Sequence, residues 1–355
     1  MTNSIPPAHH HPIRGFRNPW PAQPLRGLGG MLRWTFERAR RGQFGFARRG
    51  TPPTLARPAI PVPRTDRDEC RVTWVGHSTF LLQVGGLNVL TDPIWGDRAS
   101  PVRWAGPRRL VPPGLPFDAL PPIDLVLQSH DHYDHLCDAT VRAIADRHPS
   151  AHWLAPLGVG AQLRERGVRI VTERDWHGSV TIGDATATCV PAQHFSGRSL
   201  TDRNHSLWGG WVLGTGRHRI YFAGDSGHHP DFADIGRRHG PFDVVLMPIG
   251  AYDPRWFMQP VHVNPEEAVD AFAAAADPST AVMVAMHWGT FALTDEPVDE
   301  PPVRARAAWR ARGFVDERLW IMAPGETRAL AAVSPSHANR DSSQSAASRS
   351  SASCP

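Results

Sequence analysis

The sequence predicts an α/β body in which many short strands alternate with helices, preceded by a basic arm and followed by a polar tail. Three observations carry this. Apolar runs of strand length recur along the chain, among them IDLVLQ, RIYFAG, VVLMPIG and AVMVAM. Helix-start chemistry lies between them, most clearly at Asn264, with Pro265 at the first helical position and Glu267 three residues after the cap. And 35 prolines and 31 glycines in 355 residues cut the chain into short elements, while 41% hydrophobic residues suffice for a core.

The arm, residues 1–67, is rich in Pro and Arg. Its first 64 residues hold 11 arginines and one acid, Glu37, a net charge of +10; the whole chain is +4, so the remainder is mildly acidic at −6. Such an arm suits an anionic surface: a membrane, a nucleic acid, or the acidic body itself. Met31, Leu32, Trp34 and Phe36 with interleaved Arg fit a short amphipathic helix, which reads as peripheral membrane contact. The alternative is an arm that packs on the body or stays partly disordered. No RRM-like aromatic spacing and no helix-turn-helix signal occur, so nucleic acid is not expected.

The body is expected over residues 68–333. RVTWVGHSTFLLQV, then Gly85-Gly86, then LNVLTDP reads as two strands joined by a tight hairpin. A Pro-rich loop (93–122) leads to the strand IDLVLQS and a helix from about Asp138. Further strands are expected at ATATCVPAQ, SLWGGWVLG, RIYFAGD, VVLMPIG and AVMVAMH, with a helix from Asn264. Residues 334–355 read as a disordered Ser-rich tail. No window offers the roughly 18 apolar residues of a membrane span, and the N-terminus lacks a secretory h-region. The expected location is cytoplasmic, with peripheral contact at the inner membrane surface through the arm. Cys70, Cys137, Cys189 and Cys354 are widely spaced, which argues against a disulfide framework. The oligomeric state, a homodimer included, stays open.

The chemistry concentrates in SHDHYDHL (129–136), after the apolar run IDLVLQ. In an extended segment alternate residues project to one side, so His130, His132 and Asp134 can converge, and a turn can bring His135 into the same cavity. Imidazole nitrogen and carboxylate oxygen are good ligands for zinc. His194, Asp225 and His287 each stand just beyond another apolar strand. Any one of them alone is more often a satisfied edge residue; together with the octapeptide they point to a metal site.

HDHYDH followed by single downstream His, Asp and His residues resembles the metallo-β-lactamase superfamily. The resemblance implies a four-layer αβ/βα sandwich with two zinc ions at one edge, other divalent metals being tolerated. It implies that His130, His132 and His194 hold one metal, that Asp134, His135 and His287 hold the second, and that Asp225 bridges them. WVGHSTFLLQ (74–83), LTDPIWGDRASPVRWAGPRR (90–109), FAGDSG (222–227), PIGAYDPRWFMQPVHVNPEEAV (248–269), HWGTFAL (287–293) and NPWP (18–21) are similar to the N-acylphosphatidylethanolamine-hydrolysing phospholipase D family and its bacterial relatives. That similarity implies a phosphodiesterase of phospholipase D type in lipid metabolism, attacking an N-acylphosphatidylethanolamine-like phospholipid or other anionic phosphodiester with a metal-bridging hydroxide. Zinc brings bound water from a pKa of about 15.7 to about 7.

Asp134, Asp225 and His262 are the expected catalytic residues; His262 precedes a helix N-terminus, a good anion environment. Tyr252, Arg255 and Trp256 are expected to contact substrate, with Phe257 and Met258 either extending that wall or serving as core. Asp92 either accepts a hydrogen bond from a ligating histidine or makes a turn before Pro93. His77 is read as a buried structural histidine, with a place near the metals as the alternative. Two competing functions are a lactonase or amidase on a small carbonyl substrate, and a membrane-associated non-enzymatic protein with a structural zinc site. Seven ligands argue against the latter, because structural zinc sites usually close at four.

Overall fold

The computed structural model describes residues 15–20, 27–42, 49–199 and 201–330. The predicted Ser-rich tail and the rest of the arm lie outside them. In chain order the described elements are α1 (Leu28–Arg40), β1 (Cys70–Gly76), β2 (Thr79–Val84), β3 (Leu87–Thr91), β4 (Leu125–Leu127), α2 (Asp138–Arg147), β5 (His152–Pro156), α3 (Gly160–Glu165), β6 (Ile170–Arg174) and β7 (Ser179–Ile182). There follow β8 (Ala185–Val190), β9 (Gly210–Gly214), β10 (Arg219–Phe222), α4 (Asp231–His239), β11 (Val244–Pro248), α5 (Arg255–Met258), α6 (Pro265–Ala275), β12 (Val282–Met286), α7 (Glu300–Ala311), β13 (Leu319–Trp320) and β14 (Thr327–Ala329).

Two mixed sheets of seven strands result, ordered β14-β1-β2-β3-β4-β5-β6 and β13-β12-β11-β10-β9-β8-β7. Alternation along the strands sorts side chains between layers. Val72, Trp74, Phe80, Leu82, Leu125 and Leu127 face the second sheet and its Cys189, Trp211 and Phe222. Val75, Leu81, Leu90 and Val126 face outward and are covered by Val141 and Ile144 of α2 and Leu163 of α3. On the far side, Phe232 of α4, Phe272 of α6 and Trp309 of α7 continue the central core. Helices thus flank both sheets, the expected αβ/βα sandwich.

The predicted N-cap at Asn264 forms a full capping box, its side chain accepting from the Glu267 amide at 2.8 Å while Glu267 accepts from the Asn264 amide at 3.1 Å. One prediction is corrected. The segment RVTWVGHSTFLLQV is two strands, because Gly76 (φ 139°) and His77 (φ 55°) turn the chain between β1 and β2. The strands β5, β6, β7, β13 and β14 were not among those predicted, and β6 and β7 are short and only partly buried.

Candidate metal centre and its cavity

Strand ends build the site. The loop after β4 brings His130, His132, Asp134 and His135; those after β8, β10 and β12 bring His194, Asp225 and His287. His130 Nε2 lies 2.8 Å from His132 Nδ1, and His194 Nε2 lies 3.2 Å from the same nitrogen. Outside partners fix the tautomers: His194 Nδ1 donates to the Val261 carbonyl at 2.9 Å, and His130 Nδ1 donates to Ser129 Oγ at 2.8 Å, whose hydroxyl donates to Asp92. Lone pairs on both Nε2 atoms therefore converge on one point.

The second group is Asp134, His135 and His287, joined by His77, with donor atoms within 4.8 Å of one another. Asp134 Oδ2 is 3.0 Å from His77 Nε2, 3.4 Å from His287 Nε2 and 3.5 Å from His135 Nε2. Asp225 Oδ2 lies between the groups, 3.0 Å from His135 Nε2 and His287 Nε2, 3.8 Å from His194 Nε2 and 4.0 Å from His130 Nε2. Asp92 stands behind: its Oδ2 accepts from His135 Nδ1 at 2.6 Å, while its Oδ1 accepts from the Ser129 amide at 2.7 Å and Gln128 Nε2 at 3.1 Å. His77 is 1% exposed and its ring centroid is 4.0 Å from that of His287. It is buried, as expected of a structural residue, and it also belongs to the cluster.

The donor set fits a divalent cation. His135 Nε2, His287 Nε2 and Asp225 Oδ1 are buried without a hydrogen-bond partner among the described residues. Burial opposes ionisation of Asp134 and Asp225, yet His135 and its neighbours hold both well below the usual carboxylate range. Burial likewise opposes charging of His287, yet Asp225 and Asp134 raise it to about 9, and His135 stands well above the ordinary value for the same reason. The carboxylates thus demand positive charge at the very nitrogens that could ligate a metal. Burial pushes His130 and His194 well down and His262 down to about 3, leaving neutral rings with available lone pairs.

A cavity of about 790 Å³ opens onto His132, Asp134, Asp225 and His262. Its other walls are largely apolar: Met31 of α1, Phe195, Phe257, Met258, Val261 and Leu293. Tyr252, Arg255 and Trp256, expected to touch substrate, are not among the lining residues. The Tyr252 ring is 1% exposed, with its hydroxyl donating to Glu300 at 2.7 Å. Arg255 is drawn to Glu267 (2.7 and 2.9 Å) and donates to the His262 carbonyl at 2.9 Å, so it positions His262. Trp256 carries the Arg33 guanidinium 4.2 Å above its ring. Phe257 and Met258 do line the cavity. Sequence reasoning missed Phe195, Ser199 and Arg203, which follow His194 in one loop, and the wall made by α1. The only signal was the neighbourhood of His194.

Helix α1 is seated on the body. Trp34 Nε1 donates to Asp295 Oδ2 at 2.8 Å, Arg38 lies 3.2 Å from Asp295 Oδ1, and Trp34 packs against Phe257 at 5.3 Å. Its other face leaves Leu32 and Phe36 72% and 63% exposed, while Met31, at the cavity, is 54% exposed. No helix among the described residues is long and apolar enough to cross a membrane.

Comparison with known proteins agrees. The model of the β-lactamase superfamily domain matches residues 87–288. N-acyl-phosphatidylethanolamine-hydrolyzing phospholipase D 1 of Caenorhabditis elegans is 40% identical over 261 residues, 70% of this chain and 72% of that protein. The chain belongs to the metallo-β-lactamase superfamily, in its N-acylphosphatidylethanolamine-hydrolysing phospholipase D-like family. It is also 30% identical to a metal-dependent hydrolase of Methanopyrus kandleri, over 72% of this chain and 98% of that one. Among solved structures, the metallo hydrolase Igni18 of Ignicoccus hospitalis superimposes with a TM-score of 0.55 at 22% identity, covering 74% of this chain and 99% of that one. This superfamily member is a metal-dependent hydrolase.

Proposed function

We propose that this metallo-β-lactamase superfamily protein is a di-zinc phosphodiesterase of phospholipase D type, acting on an N-acylphosphatidylethanolamine-like phospholipid and working peripherally at the inner membrane surface. The observation that carries the reading is one cavity joining two chemistries: His132, Asp134, Asp225 and His262 at its base, and Met31, Phe195, Phe257, Met258 and Leu293 along its walls. A small polar diester needs no such walls, whereas acyl chains do.

His130, His132 and His194 would hold one zinc, and Asp134, His135 and His287 the other, with Asp225 between. Bound there, the metal pair supplies Lewis acidity and a water activated near neutral pH. The chain's own residues do the rest. Asp92 and the Val261 carbonyl hold His135 and His194 in the tautomers that free their Nε2 atoms. His262, kept neutral by burial and held through its carbonyl by Arg255, can donate an imidazole N–H toward the leaving oxygen. Arg203, over the Phe195 ring at 5.0 Å on the cavity wall, has no carboxylate partner among the described residues and offers charge to a headgroup. The exposed Met31, Leu32 and Phe36, with the arginines of α1, supply the contact with a lipid surface.

The test is a panel assay of the zinc-loaded protein. N-acylphosphatidylethanolamine in vesicles and bis(p-nitrophenyl) phosphate should be hydrolysed, the lipid preferentially. Turnover of lactones with both phosphodiesters inert would overturn the assignment.

A further inference from the structure

NPWP, at residues 18–21, lies outside the cavity, yet its Asn18 reaches the back of the metal centre and its Trp20 packs beside α4. Asn18 Nδ2 donates to the carbonyl of His194 at 2.9 Å across 176 residues of sequence. The other end of the same amide, Oδ1, accepts from Trp208 Nε1 at 3.2 Å, and that indole also donates to the Ala192 carbonyl at 2.9 Å. The two bonds fix which way the amide points, since a flipped amide would set donor against donor. Three further contacts hold the strap down. The Phe16 amide donates to the Asn204 carbonyl at 2.7 Å, at the far end of the loop that follows His194. Trp20 stacks on His229 with centroids 4.3 Å apart and donates from Nε1 to Asp231 Oδ1 at 3.0 Å, on α4.

We propose that Asn18 is a positioning residue for the metal ligand His194, and that the strap it belongs to fixes the cavity wall made by Phe195, Ser199 and Arg203. The inference rests on the reading of His130, His132 and His194 as a metal site. His194 sits beyond the end of β8 and has no ladder partner among the described residues; the chain is bridged just before it, where the Gln193 carbonyl accepts from the Gly227 amide at 2.8 Å. On the ring side the Val261 carbonyl holds Nδ1 at 2.9 Å. On the main-chain side Asn18 holds the carbonyl. With both present, Nε2 is aimed at the point where His130 and His132 converge; without Asn18, the His194 carbonyl loses its restraint and the aim of the ring loosens.

The test measures zinc affinity by competition with a chelator, on the full chain, for wild type, Asn18→Ala, Asn18→Asp, His194→Ala and the Asn18→Asp/His194→Ala double variant. Asn18→Asp keeps the acceptor for Trp208 and sets a carboxylate against the His194 carbonyl. It should weaken zinc binding about tenfold, at the low end of what outer partners of ligands contribute, and Asn18→Ala should weaken it less. In the His194→Ala background Asn18→Asp should have no further effect, because it acts only through His194; a purely structural strap would cost the same in both. If Asn18→Asp fails to fold, by circular dichroism, Asn18→Ala carries the comparison in both backgrounds. Equal zinc affinity in wild type and the Asn18 variants would overturn the positioning role and leave the metal centre standing. Wild type that binds no zinc would overturn both.

Discussion

Asp92 shows how much a single side chain organises: one carboxylate accepts from His135 Nδ1, the Ser129 amide and the Ser129 hydroxyl that receives His130. It therefore orients members of both donor groups, His135 in one and His130 in the other. Asp92→Asn preserves size but replaces an acceptor with a donor, and should lower metal affinity about 10- to 100-fold, read by chelator competition. Away from the site, His218 links stability to pH. The Asp243 carboxylate, 3.8 Å from its Nδ1, and the Asp68 carbonyl, 3.1 Å from Nε2, raise the imidazole above its ordinary value. A histidine raised in the fold contributes stability fully below an unfolded pKa of about 6.5 and loses it as pH rises through the higher folded value. His218→Gln should thus be less stable than wild type by about 1 kcal/mol or less near pH 6, the gap closing toward pH 9 in urea melts. Residue identity in SHDHYDHL was legible because each titratable group stands beside an apolar strand. The place of His77 was not: its proximity to Asp134 depends on a turn that Gly76 and His77 make at positive φ.

At the scale of elements, sequence rules worked where local chemistry decides. The capping box at Asn264 and the strands that end in ligands were readable, whereas β6 and β7 were not, since their residues alternate too weakly between core and solvent. The junction between β10 and Asp225 shows what a strand end requires. Gly224 has φ 62°, and a Cβ there would lie 2.8 Å from the Gly209 carbonyl oxygen and 2.8 Å from Ser129 Cβ. Gly224→Ala should cost about 2–4 kcal/mol from backbone strain and overpacking together, with lost metal binding, measured by thermal melts and zinc content. Helix α1 tests differently. Asp295→Ala removes the acceptor of Trp34 and the partner of Arg38. Loosening this wall should raise KM for vesicle lipid several-fold and leave kcat on bis(p-nitrophenyl) phosphate unchanged. An unchanged lipid KM would remove α1 from substrate recognition.

Across the described residues, two seven-stranded sheets bring their strand ends to one edge, where candidate ligands from loops after β4, β8, β10 and β12 converge. The sandwich was legible in the sequence through the pattern of its ligands. The cavity was not, because Met31, Phe195 and Leu293 reach it from segments far apart in sequence, and no local pattern marks them. Since the ligand cage belongs to the folded state, a metal that binds it should stabilise the molecule: by about 4 kcal/mol at a thousandfold excess over Kd, seen as a rise in Tm that a chelator reverses. If this centre serves a phosphodiester with acyl chains, the protein should cleave such a lipid at the bond between phosphate and headgroup. The most direct measurement is product analysis of the zinc-loaded protein on N-acylphosphatidylethanolamine vesicles beside a lactone series. Release of N-acylethanolamine and phosphatidic acid, abolished in His132→Ala, is the predicted result; intact lipid alongside efficient lactone opening would contradict it.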